Sequence, residues 1–489
     1  MVTVVKETER KYEASPGATL PRLSGLPAVA AESGQDTQAL EAEYYDTVDL
    51  RLLRAGVTLR RRRGGSDAGW HLKLPAGGSS RNEIRVPLGR GQKVPAELGA
   101  LVRVHTRGAE LRPVALISTT RTRRVLHDSA GSSLAEVVTD EVSAQAMGDA
   151  VVASQWHEVE VELTGGGPRL LKAADRRLRR SGLRPAGRLA KLERALADRL
   201  PAGDGRPRLT PVSPAGDVVL AYAGAQVARL KSVDPWVRRN APDSVHQMRV
   251  ATRRLRSTLK SFGPVLHAGS TEQLRTELKW LGDLLGEARD GEVMSGHLLE
   301  GLERMPAELV LGPAVARVQG YFAPREAAAR RVLLDALDSG RYFALIDALE
   351  ALLADPPLTA VARGPGADVL AAVVRRRRRR TCRRLHRARR APAGPARDTA
   401  LHEARKAAKD ARYAAEAARP AMGKKARRVA RRMKKLQSVL GDHHDGVVAR
   451  GVARDLAVRA HLAGENAFSF GLLYARDAQQ AAAIEARMR

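Results

Sequence analysis

Hydrophobic and polar positions alternate through the first part of the chain and then change period. In Val57–Arg63, Thr58, Arg60 and Arg62 share one face of an extended segment, and Val57, Leu59, Arg61 and Arg63 the other. Gln155–Leu163 sets Glu158, Glu160 and Glu162 against His157, Val159, Val161 and Leu163. Two-faced segments also fall at Val2–Tyr12, Glu43–Asp46, Trp70–Leu74, Asn82–Pro87, Ile117–Leu126 and Leu134–Val142. This period predicts strands, joined by turns such as Gly64-Gly65-Ser66-Asp67. Asp49–Ala55 reads as a short helical turn, Gly17–Leu40 as a mixed stretch with a short helix, and Leu170–Leu200 as two helices around a Gly/Pro break. Such strands would close into an antiparallel barrel of about eight.

Pro201–Asp217 has no periodicity and reads as a linker. Beyond it the pattern is helical and it repeats. Asp243–Arg249 aligns with Asp398–Arg405, with one extra residue before the histidine of the second copy. Arg253 then falls opposite Lys409 and Arg256 opposite Arg412. Further on, Leu285-Gly286 and Asp290-Gly291 fall opposite Leu440-Gly441 and Asp445-Gly446. Asp243 and Asp398 read as N-caps. The expected architecture is α+β with two domains. Residues 1–200 form an antiparallel eight-stranded β tunnel, 201–217 a linker, and 218–489 an all-α domain of duplicated four-helix bundles, 218–357 and 366–489.

Charge sharpens this picture. The chain of 489 residues carries a net charge of +30, which favours polyanionic partners: nucleic acid, an anionic membrane surface or inorganic polyphosphate. Aromatic residues make up 3% of the chain, which counts against single-strand nucleic-acid binding, where bases stack on aromatic rings. Cys382 is the single cysteine, so an intrachain disulfide is excluded and a reducing cytoplasm fits. No apolar run reaches the roughly 18 residues of a membrane span. Acids stand near the N-terminus where a signal peptide would be apolar. These features predict a soluble cytoplasmic protein.

The charged faces carry the candidate chemistry. Glu7, Glu9 and Lys11 share a face, as do His71 and Lys73, Glu83 and Arg85, Arg121 and Arg123, and Glu136 and Asp140. Acids gather on the first and last strands and bases mostly between them. A wet outer face would also be charged. Closure of the barrel would instead set an acidic seam, suited to a hard divalent cation, beside an anion-binding lining. Phosphoryl transfer relies on positioning and charge neutralisation, so it needs no Ser-His-Asp or Cys-His set, and none is visible.

Glu7-x-Glu9-x-Lys11, Tyr44-Tyr45-Asp46-Thr47, Leu59-Arg60-Arg61-Arg62, Trp70-His71-Leu72-Lys73-Leu74 and Glu158-x-Glu160-x-Glu162 together resemble the CYTH domain, the triphosphate tunnel metalloenzymes, over about residues 1–200. The resemblance implies a tunnel that binds a triphosphate and two divalent cations, Mg²⁺ or Mn²⁺. Glu7, Glu9, Glu158 and Glu160 would be metal ligands. Lys11, Arg60, Arg62, Lys73, Arg85, Arg121 and Arg123 would hold phosphate, and Glu7, Glu9 and Lys11 would form the catalytic group. Glu83, Glu136, Asp140 and Glu162 would also face the tunnel. Arg184-Pro185, Arg188, Lys191 and Arg194 match the basic C-terminal helix of that family loosely, with Lys191 as a further phosphate ligand.

In the helical half, His246, Arg249, Arg253 and Arg256 lie on one helix face, and His402, Arg405, Lys409 and Arg412 copy them. A single basic face is usually a solvated one, but duplication of the same face points to a repeating phosphate chain. His246-Gln247-Met248-Arg249-Val250-x-x-Arg253-Arg254-Leu255-Arg256 and Leu284-Leu285-Gly286-x-x-Arg289-Asp290 resemble the CHAD domain over about 217–489. That resemblance implies a basic helical surface for inorganic polyphosphate. His443-His444-Asp445 is a candidate metal cluster.

The leading expectation is a metal-dependent inorganic triphosphatase, acting on tripolyphosphate, whose helical domain binds long-chain polyphosphate at granules. The alternatives are a non-catalytic polyphosphate-binding protein, or a tunnel enzyme acting on thiamine triphosphate or, as an adenylate cyclase, on ATP. No reading motif for specific nucleic-acid recognition is evident, and oligomeric state is not encoded in any visible pattern.

Overall fold

The computed structural model describes residues 3–77, 80–89, 91–148, 151–186, 190–200 and 208–488. Val2, Arg188 and the first part of the expected linker, residues 201–207, lie outside the described residues. The chain divides between residues 206 and 207 into two compact units.

In the first unit, eight antiparallel strands form a closed barrel: β1 (Thr3–Ala14), β2 (Asp36–Asp46), β3 (Thr58–Arg63), β4 (Gly69–Pro75), β5 (Ser80–Pro87), β6 (Arg112–His127), β7 (Ser133–Ala146) and β8 (Val152–Leu163). Their order is β1-β5-β4-β3-β2-β6-β7-β8. Closure depends on β1, whose first half pairs with β5 and whose second half pairs with β8. Glu7 thus stands opposite Arg81, and Lys11 opposite Glu160.

The apolar side chains of these strands face outward. Tyr12, Val137, Val159 and Val161 pack against Leu170, Leu171 and Leu178 of helix α1 (Pro168–Arg180). Ile117, Val142, Ala144 and Trp156 pack against Leu192 and Leu196 on and just after the short helix α2 (Lys191–Ala195). The hydrophobic core therefore lies between barrel and helices, and the barrel interior is left to charged groups.

Three local expectations change. The stretch 17–40 holds no α-helix among its described residues, because Pro21, Gly25 and Pro27 interrupt it and Ala28 turns at φ 67°. Leu20, Leu23, Leu26 and Val29 of that loop still reach the core, and residues 36–40 belong to β2. The second helix expected before residue 200 shrinks to α2 and a 3₁₀ turn at Ala197–Arg199.

The second unit contains α3 (Ala215–Arg238), α4 (Ser244–Ser261), α5 (Glu272–Glu303), α6 (Ala314–Leu337), α7 (Gly340–Ala354), α8 (Gly366–Arg390), α9 (Pro395–Ala417), α10 (Arg419–Leu462, kinked at Gly423) and α11 (Phe468–Met488). Residues 215–217, read as the end of the linker, open α3. The repeat is visible in space. Pro214 and Pro365, each preceding the first helix of its half, bridge to one another. The far ends of the two halves share a core: Leu298, Leu302, Val318 and Phe322 meet Ala453, Leu456, Phe470 and Leu473. Asp243 does precede α4, although its carboxylate makes no cap bond. Asp398 is not an N-cap: α9 begins earlier, after Gly394, and Asp398 turns toward His443, 3.5 Å away.

Asp46 shows how a motif residue can serve the fold. Its buried carboxylate accepts the N–H groups of Thr47, Leu52 and Leu53 at 2.7, 2.9 and 2.9 Å, and so fixes the turn that joins β2 to β3. Asp46→Ala strands buried amides and should lower the stability of the barrel by about 2–4 kcal/mol. Urea unfolding checks this, and an unchanged midpoint would remove Asp46 from the supports of the barrel.

Candidate functional site

The barrel encloses a cavity of about 400 Å³. Alternate residues of each strand reach it: Glu7, Glu9 and Lys11 from β1, Arg60 and Arg62 from β3, and Lys73 and Arg85 from β4 and β5. Arg121 and Arg123 enter from β6, Glu136 from β7, Glu160 and Glu162 from β8, and Lys191 from α2. Every substrate-binding candidate expected in the barrel therefore lines one space.

At one seam the carboxylates of Asp140, Glu158 and Glu160 each bring an oxygen within 4.8 Å of the others, an arrangement able to hold a metal ion. The register explains it, since Asp140 stands directly opposite Glu158 across the β7–β8 pair. Lys191 Nζ sits against all three, 2.8 Å from Asp140, 2.6 Å from Glu158 and 2.7 Å from Glu160. Glu7 and Glu9 are not part of this cluster. Glu7 pairs with Lys73 at 2.6 Å, and Glu9 with Lys11 at 3.5 Å. The four expected ligands thus divide between two places, because Glu9 faces Glu162 across the β1–β8 pair and not Glu158. Lys11 links the places by pairing with both Glu9 and Glu160.

Burial and pairing set the charge states. Burial works against an ionised Glu160, but Lys11, Lys191 and Arg121 outweigh it and hold the carboxyl well below the usual range. Burial lifts Glu158 above that range. It would also drain the charge from Lys191, but Glu160, Asp140 and Glu158 push its ammonium well above the ordinary lysine value. Arg62 shows the opposite balance. Burial, with Arg60 and Arg121 beside it, brings its guanidinium down to about 9. Arg62 pairs with Asp67, yet its Nε and that of Arg60 are buried without a hydrogen-bond partner.

Other lining cations are held by acids. Arg121 grips Asp140 through Nε and Nη2 at 2.8 and 2.7 Å, and Arg123 pairs with Glu136. Glu83, fully buried, receives Arg85, His71 at 2.9 Å, and Lys73 and Arg60 at 3.6 Å. Three participants were not assigned roles from the sequence. Asp140 completes the acidic trio, His71 bridges Glu83 to the Asp67 carbonyl, and the Tyr44 hydroxyl accepts from Arg60 at 3.3 Å. Strand alternation put Asp140 and His71 on the charged face, but only strand register reveals their partners.

The helical unit has a second charged centre. Arg249 pairs with Asp290 at 2.6 Å and lies over Gly286. Arg405 repeats this with Asp445 at 3.8 Å and lies over Gly441. The two copies converge, because Arg253 and Lys409 each feel both Arg249 and Arg405. Burial, with Arg405, Arg253 and Arg249, lowers the Lys409 ammonium to about 7. Neither Arg253 nor Lys409 makes a hydrogen bond or ion pair among the described residues, and the buried Nε of Arg253 and of Arg405 lack partners. His246 is exposed beside this centre, near Arg289, Arg253 and Arg249. His402 faces His444, with Nδ1 atoms 3.2 Å apart, and both imidazoles fall to about 4 through burial and neighbouring charge. Arg412 is tied to Glu416 at 2.7 Å, and Arg256 is exposed.

His443-His444-Asp445 does not form a metal cluster. Consecutive helical residues point about 100° apart. His443 turns to Glu485 at 3.2 Å and Asp398 at 3.5 Å, His444 to His402, and Asp445 to Arg405. His443, Asp398 and Glu485 lie close enough to share a cation, but Arg397 at 2.9 Å and Arg450 at 3.7 Å already answer the two carboxylates.

Fold and site define a charged β tunnel on one chain with a basic helical unit. The CYTH domain matches residues 5–188 and the CHAD domain residues 221–454. An uncharacterised protein of Mycobacterium tuberculosis is 39% identical over 97% of this chain and 93% of its own length. This chain belongs to the family of proteins that join a CYTH domain to a CHAD domain. CYTH domains are generally metal-dependent triphosphate tunnel enzymes, triphosphatases or cyclases. Among solved structures, PptA from Streptomyces chartreusis is similar at 22% identity and a TM-score of 0.48, over 56% of this chain and 98% of that one. The CHAD domain of the plant Ricinus communis is similar at 26% identity and a TM-score of 0.46, over 59% of this chain and 94% of that one.

Lys191 is the cation that now answers the acidic trio. In EDTA, Lys191→Met should lower the folding stability of the barrel by about 3 kcal/mol, because Asp140 and Glu160 lose a partner they share with Arg121 and Lys11, and buried Glu158 loses its one cation among the described residues. Mg²⁺ or Mn²⁺ should restore most of that loss. Thermal unfolding with and without metal reads both effects, and a loss that neither ion reverses would mean that the trio does not take a metal.

Proposed function

We propose that the tunnel hydrolyses inorganic triphosphate with a divalent metal, Mg²⁺ or Mn²⁺, and that the helical unit binds inorganic polyphosphate. One observation carries the first part: a cavity of about 400 Å³ inside the barrel is lined by arginines and lysines and by Glu160, whose carboxylate belongs to the acidic trio with Asp140 and Glu158 buried behind it. Asp140, Glu158 and Glu160 would hold the metal. It would supply positive charge to the phosphates and lower the pKa of water. Arg60, Arg62, Lys73, Arg85, Arg121 and Arg123 surround the remaining length and would take phosphate oxygens. Lys11, between Glu9 and Glu160, would anchor the phosphate next to the metal, with Glu7 and Glu9 holding Lys73 and Lys11 in place. Lys191 would turn from the carboxylates to the phosphate as the metal enters.

The lining favours an inorganic chain over an organic triphosphate. Tyr44 is the aromatic side chain among the described lining residues, and its hydroxyl is engaged by Arg60, so a nucleobase or thiazole ring finds little to stack on. Arg253 and Lys409, unpaired among the described residues, support the polyphosphate reading of the helical unit, since a cluster with more cations than the acids Asp290 and Asp445 can answer attracts a polyanion. No helix among the described residues is long and apolar enough to cross a membrane.

Phosphate release from tripolyphosphate, ATP and thiamine triphosphate, compared with Mg²⁺, Mn²⁺ and EDTA, tests the tunnel. Tripolyphosphate should be cleaved fastest, EDTA should stop the reaction, and Glu160→Gln should slow it by about 100-fold or more. Equal release by Glu160→Gln, or preference for ATP, would overturn this reading.

The helical unit gives a pH dependence. In the free protein the Lys409 ammonium is lowered to about 7, and a bound phosphate chain would raise it again. Binding then takes up a proton, so affinity is greatest below pH 7 and falls as pH rises above it. Lys409→Arg, whose charge does not titrate in this range, should bind polyphosphate with a flatter profile. A wild-type affinity unchanged from pH 6 to pH 9 would exclude Lys409 from the site.

A further inference from the structure

Arg62 differs from the other tunnel cations in how it is answered. Arg121 is held side-on, with Nε and Nη2 both on Asp140 at 2.8 and 2.7 Å. Arg62 has the same fork half filled. Its Nη2 is taken by the Asp67 carboxylate, its one ion-pair partner among the described residues, while its Nε is buried with no hydrogen-bond partner. The Arg62 side chain is 7% exposed, so bulk water does not reach the empty donor. Burial beside Arg60 and Arg121 also works against its charge. An oxyanion that took both donors would satisfy the guanidinium better than Asp67 does.

Asp67 differs from the other acids of the lining as well. Glu7, Glu83, Glu136, Asp140 and Glu160 hold lining cations from within barrel strands. Asp67 stands on the turn between β3 and β4, and its carboxylate is 29% exposed. Gly64 and Gly65 let this turn fold tightly against β2. Both take positive φ, 79° and 71°, which glycine adopts without steric cost. A side chain at Gly64 would collide with the Ala39 carbonyl, and one at Gly65 would come within 2.8 Å of Leu40 and 3.1 Å of Gln38. Ser66 and Asp67 therefore line the cavity together with Gln38 and Leu40. His71, 1% exposed, fixes the backbone of the turn: its Nε2 donates to the Asp67 carbonyl at 2.8 Å, and its Nδ1 faces Glu83 at 2.9 Å. The carboxylate of Asp67 can thus leave Arg62 by rotation of a side chain, with the backbone held in place.

We propose that Asp67 is a resident competitor for the tunnel's anion: it occupies Arg62 in the free protein, a phosphate of the bound chain takes its place, and it returns to Arg62 as product leaves. This rests on the reading of the tunnel as a site for inorganic triphosphate. The exchange makes Asp67 a specificity determinant. A phosphate drawn to the empty Nε reaches for Nη2 as the second prong of the fork, and that is the donor Asp67 holds. A small anion offers Arg62 little that Asp67 does not already supply. A triphosphate repays the displacement because it engages the other cations of the lining at the same time.

Hydrolysis of tripolyphosphate by the full chain with Mg²⁺ tests this in a cycle of Asp67→Asn, Arg62→Ala and the two together. Asp67→Asn should lower KM by about 10-fold with kcat little changed, since a competitor is removed from ground state and transition state alike. Orthophosphate should inhibit this variant at lower concentration than it inhibits the wild type. Asp67→Ala, which offers Arg62 no acceptor at all, should behave in the same way, and Asp67→Glu, which keeps the carboxylate, should stay near the wild-type KM. In the Arg62→Ala background, Asp67→Asn should change KM by less than about 2-fold, because the pair it opens is gone. An unchanged or raised KM in both Asp67→Asn and Asp67→Ala would overturn the proposal and make Asp67 a support for Arg62. An equal fall in KM with and without Arg62 would also overturn it, since the effect would then come from the general field of the cavity. Either result leaves hydrolysis in the tunnel standing. Absence of EDTA-sensitive release from tripolyphosphate by the wild type would remove the tunnel reading, and the competitor with it.

Discussion

A carboxylate taken out of water needs a cation beside it, and the whole first unit is arranged around that condition. Asp140, Glu158 and Glu160 are buried at the seam of the barrel, and Lys191 answers all three. Without such pairing the desolvation of three acids would cost several kcal/mol each. The barrel can tolerate a charged interior because its apolar residues face outward, to α1, α2 and the loop before β2. Lys191 sits on a short helix whose next residue, Leu192, anchors that outer core. The packing of α2 therefore fixes where the ammonium points.

This balance makes ligand entry an exchange of partners and not a creation of new charge. In the free tunnel Lys73 is held by Glu7, Arg121 by Asp140, Arg123 by Glu136 and Arg85 by Glu83. A triphosphate with its metal has both signs: oxygens for the arginines and lysines, a cation for the acids. Each internal pair can open toward one part of that ligand without leaving a buried charge unanswered. The orphaned Nε atoms of Arg60 and Arg62 are the points where the free protein is least satisfied and where a phosphate gains most.

Much of this was legible in the sequence, and the reason is periodicity. Thr58, Arg60 and Arg62 share one face of their strand whether a sheet is flat or closed, so the set could be read from spacing. Partnership could not. Asp140 belongs with Glu158 because of the β7–β8 register, and Glu9 belongs with Lys11 because β1 meets β8 offset from the acidic trio. Register depends on turns and on outer packing, which no single strand reveals. Asp46 was readable as part of a motif, but its role as an acceptor for three backbone amides required the folded turn. The helix expected in residues 17–40 failed for a local reason, since its leucines have helical spacing while its prolines and positive-φ turns forbid the helix.

The helical unit answers charge in the opposite way. Arg253 and Lys409 are gathered beside Arg249 and Arg405 and pair with no acid among the described residues, so the free protein bears repulsion that the Lys409 ammonium relieves by giving up its proton readily. Such a centre is stabilised by a polyanion supplied from outside, whereas the tunnel is already neutralised from within. Duplication accounts for the difference in part. The two copies of α4 and α9 bring the same basic face to one centre, and the duplicated acids, Asp290 and Asp445, pair with Arg249 and Arg405 and leave Arg253 and Lys409 without a pair among the described residues. At the flanks Arg254 and Arg412 both pair with Glu416 beside the start of α10, and Lys260 pairs with Asp410 beside α8. The wider of the two basic spaces, about 1220 Å³, lies against the start of α10 and its kink at Gly423, and the narrower, about 560 Å³, against the arginine-rich face of α8.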